Sequence, residues 1–204
     1  MAGLEWLSAD GTRIGDEGLA YIVGLPALED LSVGETNVTD QGLIHLKGLP
    51  SLVGVSLERT RITDAGLQHL CSLRDLRTLD LGHTVITDRG LATVASCRKL
   101  SRLCLGGAQV TDNGLRHLRN LNRLTHLHLE ETQITDTGLA QLRALRNLEH
   151  VVLSDTRVTD AGLQHLEDLP RLKLLSVSRT GVTYTGVQKL EDAKPQTAVL
   201  WRPF

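Results

Sequence analysis

Three histidines and one cysteine are the residues in this chain best placed to do chemistry. His126 and His128 stand two apart, His150 follows His126 by 24 residues, and Cys104 precedes His128 by 24. Residues two apart on a strand share a face. Residues on neighbouring strands lie about 4.8 Å apart. Three imidazoles so placed suggest zinc, which in catalytic sites takes three protein ligands and a water. The plainer reading is a row of polar contacts on an open sheet, since flat sheets seldom tilt ligands inward and an enzyme needs a pocket. We take the plainer reading, with no metal, no cofactor and no catalytic residue, and keep the histidine cluster as an alternative metal site.

Other reactive patterns are missing. No HExxH, GxSxG or CxxC occurs, and no Gly-rich phosphate loop follows a strand. His45, His69, His117 and His165 recur at one phase of a repeat, which points to ancestry and a solvated helix face. Basic residues gather where helices should end, at Arg98, Lys99, Arg119, Arg123, Arg143, Arg146 and Arg171. They could form a nucleic-acid stripe. Cations in a last helical turn are stabilising in their own right, however, so nucleic acid is the weaker reading.

What must position these residues is a 24-residue unit, clearest in Leu52–Asp75, LVGVSLERTRITDAGLQHLCSLRD. The skeleton LxxLxLxxTxITDxGLxxLxxLxx begins at Leu4, Leu28, Leu52, Leu76, Leu100, Leu124, Leu148 and Leu172, without insertion or deletion. A fixed period of this length marks a solenoid whose units are buried only against each other. LxxLxL sets apolar residues two apart, as a short strand with one buried face requires. DxGLxxLxxL sets them three apart, which suits a short helix with one buried stripe. Eight such units predict seven or eight parallel strands on a concave face and helices on the convex face, an α/β solenoid.

Comparison among the copies assigns further roles. Position 9 is Thr in every copy except Ala108, which predicts a buried hydroxyl serving turn backbone in each coil. Thr39, Thr63, Thr87, Thr111, Thr135 and Thr159 are expected N-caps, and the Asp after each favours the helix dipole. Glycine fills position 15 throughout, from Gly18 to Gly186. Inside a helix it costs about 0.5–1 kcal/mol relative to Ala, so close packing against the neighbouring coil is the expected reason.

On these motifs the chain resembles the leucine-rich repeat family, in the ITDxGLxxL branch found in bacterial repeat proteins and in F-box-type cysteine-containing repeats. Thr stands where the F-box type has Cys, and no F-box segment precedes the repeats, so a ubiquitin-ligase role is not carried over. The resemblance implies a curved solenoid whose concave sheet serves as a platform for a macromolecular partner.

The chain has 204 residues, 41% of them hydrophobic, which suffices for a sizeable core. The unbroken period favours one domain over 1–204, with repeats over 4–195 and a closing strand in the tail, 196–204. Net charge is −2, so no general field draws it to nucleic acid or anionic membrane. The three cysteines show no paired spacing, and the start, MAGLEWLSADG, lacks the regions of a signal peptide. A reduced, cytoplasmic setting is therefore expected. No run approaches the apolar length of a membrane span. The expected function is a non-enzymatic protein–protein interaction module binding a protein through its concave face. The predicted contacts are Asp80, Arg102, His126, His128, Glu130, His150 and Asp155, while the first three coils look bland. Alternatively the chain is the recognition segment of a larger receptor, effector or ligase. At the N-terminal edge Leu4, Leu7 and Ile14 should lack cover, inviting capping or self-association.

Overall fold

The structure, a computed structural model, describes residues 3–203. Nine three-residue strands form one parallel sheet in chain order: β1 (Trp6–Ser8), β2 (Asp30–Ser32), β3 (Gly54–Ser56), β4 (Thr78–Asp80), β5 (Arg102–Cys104), β6 (His126–His128), β7 (His150–Val152), β8 (Leu174–Ser176) and β9 (Ala198–Leu200). Each residue pairs with the one a full repeat away, as in Leu103 with Leu127. The middle residue of each strand points into the core, and from β2 to β8 it is fully buried. Its two flanking residues stand on the concave side. The ninth strand exceeds the seven or eight expected. It is the tail, where Val199 pairs with Leu175 and the Trp201 indole donates to the Val182 carbonyl at 2.9 Å.

The convex side carries α1 (Asp16–Tyr21), α2 (Leu67–Leu70), α3 (Asp88–Val94), α4 (Asp112–Leu118), α5 (Asp136–Leu142), α6 (Asp160–Glu167) and α7 (Tyr184–Ala193). Here the second coil departs from expectation, forming a 3₁₀ helix over Gly42–Gly48. Thr87, Thr111, Thr135 and Thr159 cap their helices as expected, each accepting the N–H two residues on. Thr183 caps α7 through the Gly186 N–H. Thr39 and Thr63 make the same short-range bond at 3.3 Å, but the helical segments they precede start later.

The expected threonine bonds are present at position 9. Thr36, Thr60, Thr84, Thr132, Thr156 and Thr180 are buried. Each donates to the carbonyl three residues back, as in Thr60 to Leu57 at 2.6 Å. Ala108, the exception, fills its place as a buried methyl.

The aspartates at position 13 do more than favour a dipole. Asp112 accepts the Thr135 N–H at 2.8 Å on one oxygen and the Thr135 hydroxyl at 2.6 Å on the other. The same pair of bonds joins Asp16 to Thr39, Asp40 to Thr63, Asp64 to Thr87, Asp88 to Thr111, Asp136 to Thr159 and Asp160 to Thr183. Every adjacent pair of coils is thus stitched twice along one line.

The cysteines overturn their reading. Cys71 and Cys97 form a disulfide with Cα atoms 4.9 Å apart, joining the third coil to the fourth just past the C-terminal ends of α2 and α3. Their sequence separation is 26, not one repeat. The two extra positions carry Cys97 across from the phase of Cys71, so a rule looking for equivalent positions overlooks the pair.

Candidate binding face

The concave row offers side chains that the fold does not consume. Position 3 of each repeat runs Trp6, Asp30, Gly54, Thr78, Arg102, His126, His150 and Leu174 across β1–β8. Position 5 runs Ser8, Ser32, Ser56, Asp80, Cys104, His128, Val152 and Ser176. Parallel pairing in register forces both rows.

The predicted contacts share this face, in differing states. Arg102 is exposed and forms no ion pair among the described residues. His126 and His150 stack with ring centroids 4.3 Å apart and planes tilted by 45°. The His126 Nδ1 lies 2.9 Å from the Thr125 hydroxyl. Burial, then the Arg102 guanidinium and the two neighbouring histidines, push the His126 pKa down. Asp80 accepts the Gly82 N–H at 2.9 Å. Glu130 leans over Gly106, with one carboxylate oxygen buried and without a hydrogen-bond partner. Asp155 is already engaged, since the Arg179 guanidinium bonds both its oxygens and holds its carboxyl below the ordinary range.

Two chemical readings lose ground. Burial, followed by the charges of Asp80 and Glu130, pushes the Cys104 thiol up to about 12, so it stays protonated at neutral pH and is no nucleophile. Among the described residues, no group of three or more His, Cys, Asp or Glu side chains is arranged to hold a metal ion. The basic run on the far side is partly spent within the chain: Lys99 pairs with Asp75 and Arg143 with Asp168. The recurring histidines of the helix row are half-buried, not solvated, and the Nδ1 atoms of His69 and His165 are shut off from water.

Sequence reasoning missed two features. Position 8 adopts a left-handed backbone in every coil, at Glu35, Arg59, His83, Glu131, Asp155 and Arg179 as well as Gly11 and Gly107. Its N–H continues the ladder past the strand, as in His83 to the Gly106 carbonyl at 2.7 Å. The side chain is thereby turned onto the concave rim. Gly11 and Gly107 were the available signal, because glycine adopts that conformation without steric cost. The second feature is a hollow of about 470 Å³ over the first six coils, lined by Trp6, Asp30, Ser32, Gly54, Asp80 and Arg102 among others. The residues that look bland in the sequence make its floor because they are small.

A parallel sheet coiled in register, roofed by helices and stitched by repeated Asp–Thr bonds, defines a 24-residue repeat solenoid. The fold is that of a leucine-rich repeat protein. The Leucine Rich repeat family profile matches residues 72–95, 120–142 and 144–166. A crystal structure of internalin C2 (inlC2) from Listeria monocytogenes is 25% identical, with a TM-score of 0.76 over 97% of this chain and 80% of its own. That of an internalin (inlF) from the same organism is 21% identical, with a TM-score of 0.74 over 96% of this chain. This chain spans 52% of the inlF structure. No curated protein sequence matches it. No helix among the described residues is long and apolar enough to cross a membrane.

Proposed function

We propose that this protein is a non-enzymatic interaction module that holds a protein partner on its concave sheet, through Asp80, Arg102, His126, His128, Glu130, His150 and Asp155. One observation carries the reading. In β4–β7 six of the eight concave side chains are charged or titratable, all but Thr78 and Val152, and Arg102 and the paired His126 and His150 are committed to no ion pair among the described residues. Solenoids use this face because its curvature presents many strands to one ligand. A partner isolated with the wild-type protein should lose at least about tenfold in affinity when Arg102, His126 and His150 are changed together to Ala, as for a cluster of interface anchors. Unchanged affinity would move the interface to the helices.

A second reading, the recognition segment of a larger receptor, effector or ligase, is favoured by the chain spanning 52% of the inlF structure. A cytoplasmic chain would keep Cys71 and Cys97 as thiols, whereas their disulfide favours an oxidising compartment. The thiol state in freshly lysed, alkylated native cells decides between them.

A further inference from the structure

The hollow over the first coils is walled unequally. On one side stand Trp6, 63% exposed, and Asp30 beside it in the register. Asp30 leans over the floor, and a β-carbon at Gly54 would come within 1.9 Å of its Oδ1. The Asp30 carboxylate makes no hydrogen bond or ion pair among the described residues, and its register partner on β3, Gly54, offers no side chain. Asp80 stands across the floor, with one oxygen occupied by the Gly82 N–H. Arg102 and His128 close the far side.

The surrounding rim has the same sign. The first four coils carry Asp10, Glu35 and Glu58 beyond the strands, against Arg59, which is bonded to Glu58 and lies 3.6 Å from Glu35. Asp10 holds its own charge firmly. Burial opposes its ionisation, but hydrogen bonds from Ser32, Ser8 and the Gly34 N–H outweigh that and lower its pKa. An exposed indole beside an uncompensated carboxylate suits one class of group, a cation that lies over the ring face and meets the oxygen at its edge.

We propose that this hollow receives a lysine or arginine side chain of an extended partner segment, with Trp6 against its alkyl stem or cationic head and Asp30 and Asp80 as its counter-charges. This rests on the concave-face reading and adds the chemistry of the partner. Arg102 sets direction, because its like charge keeps the cation at the Asp30 end. The occupant is committed by charge complementarity: an acidic segment would meet five carboxylates of Asp10, Asp30, Glu35, Glu58 and Asp80.

The probe is a short Gly/Ser peptide bearing two arginines, titrated while the Trp6 indole N–H resonance is followed and distinguished from Trp201 by Trp6→Phe. The resonance should shift saturably. A citrulline peptide of the same shape should bind at least about tenfold more weakly, and a glutamate peptide not at all. Asp30→Asn and Asp80→Asn should each weaken the arginine peptide about two- to fivefold, and Arg102→Ala should leave it equal or tighter. Equal binding of the citrulline peptide, or indifference to the Asp30→Asn/Asp80→Asn double variant, would overturn the proposal. The parent reading fails separately: a partner insensitive to alanine at 102, 126 and 150 sinks that reading whatever the peptide does. A partner sensitive there, with no arginine peptide bound, sinks only this one.

Discussion

The Oδ1 of Asp112 occupies the space that a β-carbon on residue 138 would need, 2.3 Å from where that carbon would stand. Gly138 is therefore glycine because of an aspartate in the previous coil, and that aspartate is held there by the Thr135 N–H and hydroxyl. The same approach recurs from Asp16 over Gly42 to Asp160 over Gly186, at 2.1–2.5 Å. Thr-Asp-x-Gly is one interlocking joint distributed over two coils.

That joint predicts a strong coupling. Gly138→Ala alone should destabilise by about 1–3 kcal/mol, as other overpacked sites do. Asp112→Ala alone should cost about 1–3 kcal/mol for the bonds withdrawn from Thr135. In the double variant the space is vacant, so the alanine at 138 should cost less than half its single-variant value. A double-mutant cycle in urea reads the coupling directly. Additive losses would show that Gly138 serves some purpose other than clearance for Asp112.

The hydrophobic and hydroxyl layers should rank differently. Leu127 is fully buried, and Leu127→Ala should cost about 2–5 kcal/mol. Thr132→Ala should cost about 1–2 kcal/mol, because it leaves the Leu129 carbonyl without its donor. Denaturant midpoints compare the two, and a larger loss at 132 would contradict this account of the core.

The disulfide is checked by counting thiols. Denatured but unreduced protein should take up alkylating reagent at Cys104 alone, and at all three cysteines after reduction. Reduction should lower stability by about 2–4 kcal/mol, the usual range for a native cross-link. A Cys71→Ser/Cys97→Ser variant should be insensitive to reductant. Three alkylations without reduction would remove the bond and restore the reduced reading.

Much of this was legible because a repeat compares itself with its own copies. The strand and helix phases, the buried Thr at position 9 and the clearance at position 15 all follow from positions that vary little or not at all between copies, such as Gly18 through Gly186. The Asp–Thr stitches were hidden because Asp112 and Thr135 each already satisfy a rule for a local cap, so neither residue type points across coils. Even the exceptions fit the joint: Gly15 replaces Thr in the first coil and Tyr184 replaces Asp in the eighth, where the described coils offer no rung. The hollow was illegible for another reason. It is built from Gly54, Ser32 and Ser56, and a ranking by chemical richness discards small residues even where their smallness shapes the surface.

His126 supplies the pH dependence. Its pKa in the folded chain lies below the ordinary histidine value of about 6.5, through burial first, then Arg102, His150 and His128. The unfolded chain thus takes up this proton at higher pH than the folded one. The stability His126 contributes is present above about pH 6.5 and is lost as pH falls through the folded value. NMR titration of its ring proton should show the depressed midpoint, moving upward in Arg102→Ala. A midpoint at or above the free-histidine value would refute this electrostatic picture.

The N-terminal edge should associate. Among the described residues β1 has a neighbour only on one side, Leu4, Leu7 and Ile14 remain half-buried, and Trp6 and Tyr21 are exposed by 63% and 86%. An open strand bordered by apolar side chains templates pairing with another chain. We expect light scattering to report a mass that rises with protein concentration. Trp6→Lys should suppress the rise, because a charged residue on an edge strand blocks pairing without touching the core. A constant monomer mass at high concentration would show that the first coil seals the sheet unaided. If instead association persisted in Trp6→Lys but vanished with a charge at exposed Leu200 of β9, the opposite edge would be the contact.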